Sequence, residues 1–193
     1  MPQTSRPSAT VFVALLRGVN VGGNNMISMA SLKASFERMG FDNVSTYINS
    51  GNILFKTRAD DLRQLESKIE KMLTKEHKLD CKVVVRSFAE IAKLVENWPR
   101  DWDSDTDWKY NVIFLRHSID SKKVLEELAP QADIEQVVYY PGTLLWSAQI
   151  NAMSRTRMQK LSSQKIFRDM TVRNPNTTRK LYELMKKMSD DKH

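Results

Sequence analysis

Two stretches, Phe12-Val-Ala-Leu-Leu-Arg17 and Val112-Ile-Phe-Leu-Arg-His117, decide how the chain is read. Each is an apolar run of strand length that ends in Leu-Arg, and such runs read as buried strands. Aligned on that pair they stand 99 residues apart. Two further landmarks repeat in the same order. Gly51-Asn-Ile-Leu-Phe55 matches Gly142-Thr-Leu-Leu-Trp146 at an offset of 91, and Val85-Arg86-Ser87 matches Val172-Arg173-Asn174 at 87. The later half is therefore a shortened copy of the earlier one, with residues lost between landmarks and the order kept.

Working outward, the periodicity changes in a regular sequence. Strand 10–17 is followed by a helix over about 29–39, where Leu32, Phe36 and Met39 share a face. Strands 44–49 and 52–57 flank Ser50-Gly51, a turn able to supply positive φ. A helix over about 60–77 sets Leu62, Leu65, Ile69, Met72 and Leu73 on one stripe, with Asp60-Asp61 at its start. Strand 81–86 leads into Ser87, whose spacing to Glu90 is that of a capping box. From Trp108 the order returns: strand 109–116, helix 121–129, a hairpin over 137–146 turning at Pro141-Gly142, a helix near 154–162, strand 171–173 and helix 177–188. The fold expected is α+β, a tandem duplication of two ferredoxin-like modules, each βαββαβ plus a helix. Module boundaries fall at 11–98 and 108–188, with tails at 1–10 and 189–193 and an acidic linker at 99–107 whose tryptophans pack at the junction.

The linker alternates Asp101, Asp103, Asp105 and Asp107 like the opening of a calcium loop, but Thr106 and Val112 stand where the loop needs Gly and Glu. His77, His117 and His193 have no metal-ligand spacing, and no metal is expected. A single cysteine, Cys81, makes no internal disulfide. The N-terminal apolar run of six residues, 11–16, is far short of the roughly 20 that cross a bilayer, so a cytoplasmic protein with no membrane partner is expected. The aromatic hairpin residues Tyr47, Phe55, Tyr140 and Trp146 read as core, because the basic RNP1 run of RNA-recognition modules is missing.

Charge is unevenly placed. The net charge is +7, yet residues 153–187 carry ten Lys and Arg against two acids. Such a segment could attract phosphates, or be a solvated helix face.

The duplication acts as an internal control, since what one copy has beyond the common scaffold is a candidate for function. After Arg17 the first copy inserts Gly18-Val-Asn20-Val-Gly22-Gly23-Asn24-Asn25-Met-Ile-Ser28, where the second has a few residues around Ser118 and Asp120. Glycines let backbone N–H groups converge, and Ser28 would cap a helix whose amino end favours an anion. The spacing is neither a dinucleotide fingerprint nor a P-loop. In a βαββαβ module the Ser50-Gly51-Asn52 turn emerges on the same sheet edge. Arg17, Asn20, Gly22, Gly23, Asn24, Ser50, Gly51 and Asn52 are the expected binding residues for an anionic, phosphorylated small molecule, with Arg173, Asn174 and Asn176 closing the site from the second module. No general base stands out, so no reaction is assigned and no cofactor is implied. The alternatives are a nucleic-acid-binding module using the basic segment, and a scaffold whose glycine loop is merely flexible.

Three segments resemble a mainly bacterial family, domain of unknown function 1697: Leu15-Leu-Arg-Gly-Val-Asn-Val-Gly-Gly23-Asn24, Thr46-Tyr-Ile-Asn-Ser-Gly-Asn-Ile-Leu-Phe55 and Thr171-Val-Arg-Asn-Pro-Asn-Thr177. Pro175 stands where the family pattern has Trp. The resemblance implies a tandem pair of ferredoxin-like modules and supplies no substrate.

Overall fold

The structure, a computed structural model, describes residues 9–21, 25–58, 61–161 and 163–191. The chain runs β1 (Thr10–Leu16), α1 (Met29–Arg38), β2 (Asp42–Tyr47), β3 (Asn52–Thr57), α2 (Leu62–His77), β4 (Val83–Ser87) and α3 (Phe88–Glu96). It continues with β5 (Trp108–Leu115), α4 (Lys123–Leu128), β6 (Glu135–Tyr140), β7 (Thr143–Gln149), a 3-10 turn (Ile150–Arg155), α5 (Arg157–Leu161), a second 3-10 turn (Lys165–Asp169), β8 (Met170–Arg173) and α6 (Pro175–Asp190).

The strands form two four-stranded antiparallel sheets, ordered β2-β3-β1-β4 and β6-β7-β5-β8. Register repeats as well as order. Ala14 faces Ile53 and Val13 faces Arg86 in one sheet; Ile113 faces Leu144 and Val112 faces Arg173 in the other. These pairings keep the three offsets read from the sequence.

β1 is apolar from Val11 onward because both of its faces are covered. Phe12, Ala14 and Leu16 pack on one side with Leu32, Phe36, Ile69 and Leu73 of α1 and α2. Val11, Val13 and Leu15 point the other way, into a central cluster shared with Val112, Phe114 and Leu145 of the second sheet, Ile91 and Leu94 of α3, and Leu181 and Met185 of α6. α3 and α6 pack on each other, and α6 touches both β1 and β5. The second sheet's remaining face buries Ile113, Leu115 and Trp146 under α4 and α5.

Local signals start the helices where the sequence placed them. Ser28 caps α1, Asp61 caps α2, and Ser87 with Glu90 closes a full capping box on α3. The helix expected near 154–162 differs. Thr156 is extended, its hydroxyl donating to Met153 O and accepting from Gln159 N, so a 3-10 turn ends there and α5 starts afresh. Between α3 and β5, Trp98 and Trp102 meet edge-on at 5.1 Å against the central cluster, and Arg179 of α6 spans Trp98 and Asp103. Among the described residues no helix is long and apolar enough to cross a membrane, and no group of side chains is placed to hold a metal.

Candidate functional site

The end of β1, the β2–β3 turn and the β8–α6 junction meet at one edge of the molecule. Leu16 N donates to Gly51 O at 2.8 Å, closing the turn onto β1. Gly51 has φ +71°, and a Cβ there would lie 2.8 Å from Leu16 Cβ, so the approach needs glycine. Into this corner comes Arg173, from the far sheet and only 8% exposed. Its Nε donates to Asn52 Oδ1 at 2.6 Å, Nη1 to Thr171 Oγ1 at 2.9 Å and Val172 O at 2.8 Å, and Nη2 is shared among Leu16 O, Ser50 O and Gly51 O at 3.0 to 3.3 Å. Every acceptor is neutral. Burial without a counter-ion pushes the guanidinium pKa down to about 10.

Arg17 stands beside it, half-buried. Its guanidinium lies 4.9 Å from the centre of the Phe167 ring, and its buried Nε has no hydrogen-bond partner. These residues line a hollow of about 450 Å³ together with Val21, Ile48, Ser50, Asn174 and Thr177. Asn174 caps α6, accepting from Thr177 N at 2.7 Å, and Pro175 takes the first turn, where its missing N–H costs nothing. The positive end of a 16-residue helix thus opens beside two arginines, and no carboxylate among the described residues lines the hollow.

The counterpart corner is built from the same landmarks and neutralised differently. Arg86 of β4, 1% exposed, reaches across to Leu115 O and Gly142 O, as Arg173 reaches to Leu16 O and Gly51 O. Each half therefore plugs an arginine into the other. Burial lowers the Arg86 pKa while the nearby Glu90 and Glu66 hold it up. Arg116, in the place of Arg17, pairs with Glu70 and Asp169 at 3.0 Å each and lies 3.8 Å from Glu66, which also meets His117 at 3.0 Å. Five acids serve this corner, counting Asp120 at the Gly142 amide, where the first has none among the described residues.

Of the expected site residues, the fold brings together Arg17, Ser50, Gly51, Asn52 and Arg173, with Asn174 at the lip. Asn52 is fully buried and wholly engaged, donating to Tyr47 O and Ser50 Oγ while accepting from Arg173. Asn20 is engaged otherwise: its amide donates to Ile27 O and Asn49 O and accepts from Ile27 N, all within 3.0 Å, so it clamps the loop to the turn. Asn176 borders a separate hollow with Asp103 and Trp108. Gly22, Gly23 and Asn24 lie outside the described residues. Sequence reading missed Phe167, Thr171, Thr177, Val21 and Ile48; only Thr171 and Thr177, which bound the third motif, offered a signal. A larger hollow of about 960 Å³ lies along α2, where Asp61 stands among Arg58, Arg63 and Lys68.

Comparison with known proteins now bears on this arrangement. The model of a family described as Protein of unknown function (DUF1697) matches residues 9–146. The chain belongs to this family. The matched stretch of this DUF1697 member holds β1, the glycine loop and the β2–β3 turn, and ends before β8, so Arg173 lies beyond it. Among solved structures, the chain is similar to the conserved bacterial protein SP0830 from Streptococcus pneumoniae, with 26% identity, a TM-score of 0.80, and coverage of 92% of this chain and 99% of that one. No curated protein matches the sequence.

Proposed function

We propose that the hollow between Arg17, Ser50 and Asn174 binds a small phosphorylated anion. Arg17 and the amino end of α6 are its direct partners, and Arg173 is a buried positive charge behind them. One observation carries the reading. Two equivalent corners each hold a pair of arginines; one pair is met by Glu66, Glu70, Glu90 and Asp169, and the other by no acid among the described residues. A guanidinium kept from water without a counter-charge is costly, and an incoming anion lowers that cost. Among the described residues the walls contain no imidazole, carboxylate or thiol, which favours binding over turnover.

The matching strand orders and registers support a further reading, that the chain is a tandem pair of ferredoxin-like modules, 11–98 and 108–188, joined by the linker 99–107. The site would then be an interface between modules that only one of two equivalent corners developed. The nucleic-acid alternative has less to draw on: Arg173 is buried, Arg179 is clamped to Asp103 at 2.5 and 2.6 Å, and Lys180 pairs with Glu183.

Thermal melting with inorganic phosphate and a panel of sugar phosphates tests the proposal. A ligand at about 100 times its Kd adds about 2.7 kcal/mol, or roughly 5 to 11 °C for a chain of this size. The shift should vanish in Arg17→Ala and persist in Arg116→Ala. No shift with any member in the wild type, or an equal one in Arg17→Ala, overturns it. Salt-sensitive gel shifts with RNA or DNA and no small-molecule response would transfer the case to nucleic acid.

A further inference from the structure

The geometry points to an amphiphilic anion, a phosphate monoester of an apolar alcohol or phenol, as the occupant of this hollow, its phosphate on Arg17 and its apolar group on Ile48 and Val21. The inference rests on the binding proposed above and adds what the rest of the ligand must be.

Two side chains at the mouth carry it. Ile48 is 49% exposed and Val21 58% exposed, both line the hollow, and neither belongs to any of the three core clusters. Ile48 also has φ +48°, a left-handed conformation that a β-branched residue rarely takes and that Asn or Gly adopts readily. The backbone is held there from both sides. Tyr47 O accepts from Asn52 Nδ2 at 3.1 Å and Asn49 O from Asn20 Nδ2 at 2.9 Å, so the turn cannot relax by rotating either neighbouring carbonyl without losing a hydrogen bond. A strained backbone that presents a large apolar side chain to water contributes nothing to the core, and such strain concentrates at binding sites. The counterpart turn, Pro141-Gly142, is two residues long and displays no such side chain. Behind the mouth, the Phe167 ring backs the guanidinium of Arg17 and extends the apolar wall inward.

Titration calorimetry with phenyl phosphate and inorganic phosphate as probes tests it. Covering about 60 Å² of ring with Ile48 and Val21 corresponds to roughly tenfold in Kd, so phenyl phosphate should bind about ten times more tightly than phosphate. In Ile48→Asn, which suits the left-handed turn and so keeps the fold, that preference should drop to about threefold, the loss falling on phenyl phosphate and not on inorganic phosphate. Val21→Ser, outside the strained turn, should lower the preference by about threefold. Equal affinities for the two probes in the wild type, or a preference that survives both substitutions, overturns this inference and leaves the phosphate site standing. Failure of both probes to bind the wild type overturns the site and this inference together.

Discussion

Replacing Arg173 by Ala removes a side chain of the second sheet that enters the corner of the first. Three acceptors across the junction, Asn52 Oδ1, Leu16 O and Ser50 O, lose the guanidinium, as do Thr171 Oγ1 and Val172 O on its own strand, while Gly51 O keeps Leu16 N. A buried acceptor left unpaired costs about 1 to 3 kcal/mol, so the three together cost about 6 kcal/mol. Against this stands the cost of burying the cation itself. Its pKa falls from 12.5 to about 10, and at 1.36 kcal/mol per pKa unit about 3 kcal/mol is recovered when the charge is gone. The net loss expected is about 3 kcal/mol, which lowers Tm by roughly 6 to 12 °C at 2 to 4 °C per kcal/mol. Urea unfolding followed by far-UV circular dichroism measures it, and an unchanged m-value shows that the transition remains the same. Combining Arg173→Ala with Asn52→Ala should give a coupling of about 1 to 2 kcal/mol, as for a charge-assisted bond. An Arg173→Ala protein as stable as the wild type would refute the reasoning, since the buried cation would then cost as much as its bonds return.

Gly51→Ala should destabilise by about 1 to 3 kcal/mol in the same denaturation assay, because it adds a Cβ at 2.8 Å from Leu16 Cβ to a backbone at φ +71°. Cys81 is buried, and burial pushes its thiol up to about 12, so it should react with a thiol reagent only at the rate of unfolding near neutral pH. Its raised pKa also fixes a sign: the unfolded thiol ionises above about 9 while the folded one stays neutral, so this contribution to stability is whole below pH 9, falls as pH rises from 9 to 12, and is abolished in Cys81→Ala. Asn20→Ala frees Asn49 O, Ile27 O and Ile27 N from their shared clamp and should raise amide hydrogen exchange at Ile27 at least tenfold with a smaller effect on global stability.

Much of the fold is legible in short-range chemistry. Strands β1 and β5 show as apolar runs, Ser87 with Glu90 marks α3 to the residue, and Ser50-Gly51 marks its turn. Three landmark pairs anticipate the repeated register. The candidate site was legible only as an inserted loop beside a hairpin turn. Arg173 sat in a basic cluster and in an alignment, and nothing local distinguishes an arginine that crosses between sheets from a solvated one; that depends on how β8 lies against the end of β1. Asn20 and Asn52 show the converse. Asn beside a glycine turn looks like a ligand donor, yet the Asn20 amide is spent on the backbone and the Asn52 amide on Tyr47 O, Ser50 Oγ and Arg173, because a loop that leaves a sheet edge needs side chains to satisfy its carbonyls. Phe167 lies on a 3-10 turn without periodicity, so no pattern marks it. Ile48 reads as an ordinary strand residue, since its left-handed φ is invisible in a β-branched letter.

The asymmetry between the two corners is tested most directly by installing in the first the kind of acid that the second possesses. Phe167 holds its ring 4.9 Å from the Arg17 guanidinium, so a carboxylate introduced by Phe167→Glu is within reach of the same cation. Calorimetric titration with inorganic phosphate should give saturable binding to the wild type and a loss of at least tenfold in affinity for Phe167→Glu. Phosphate binding of equal strength in both proteins, or none in the wild type, would contradict the account.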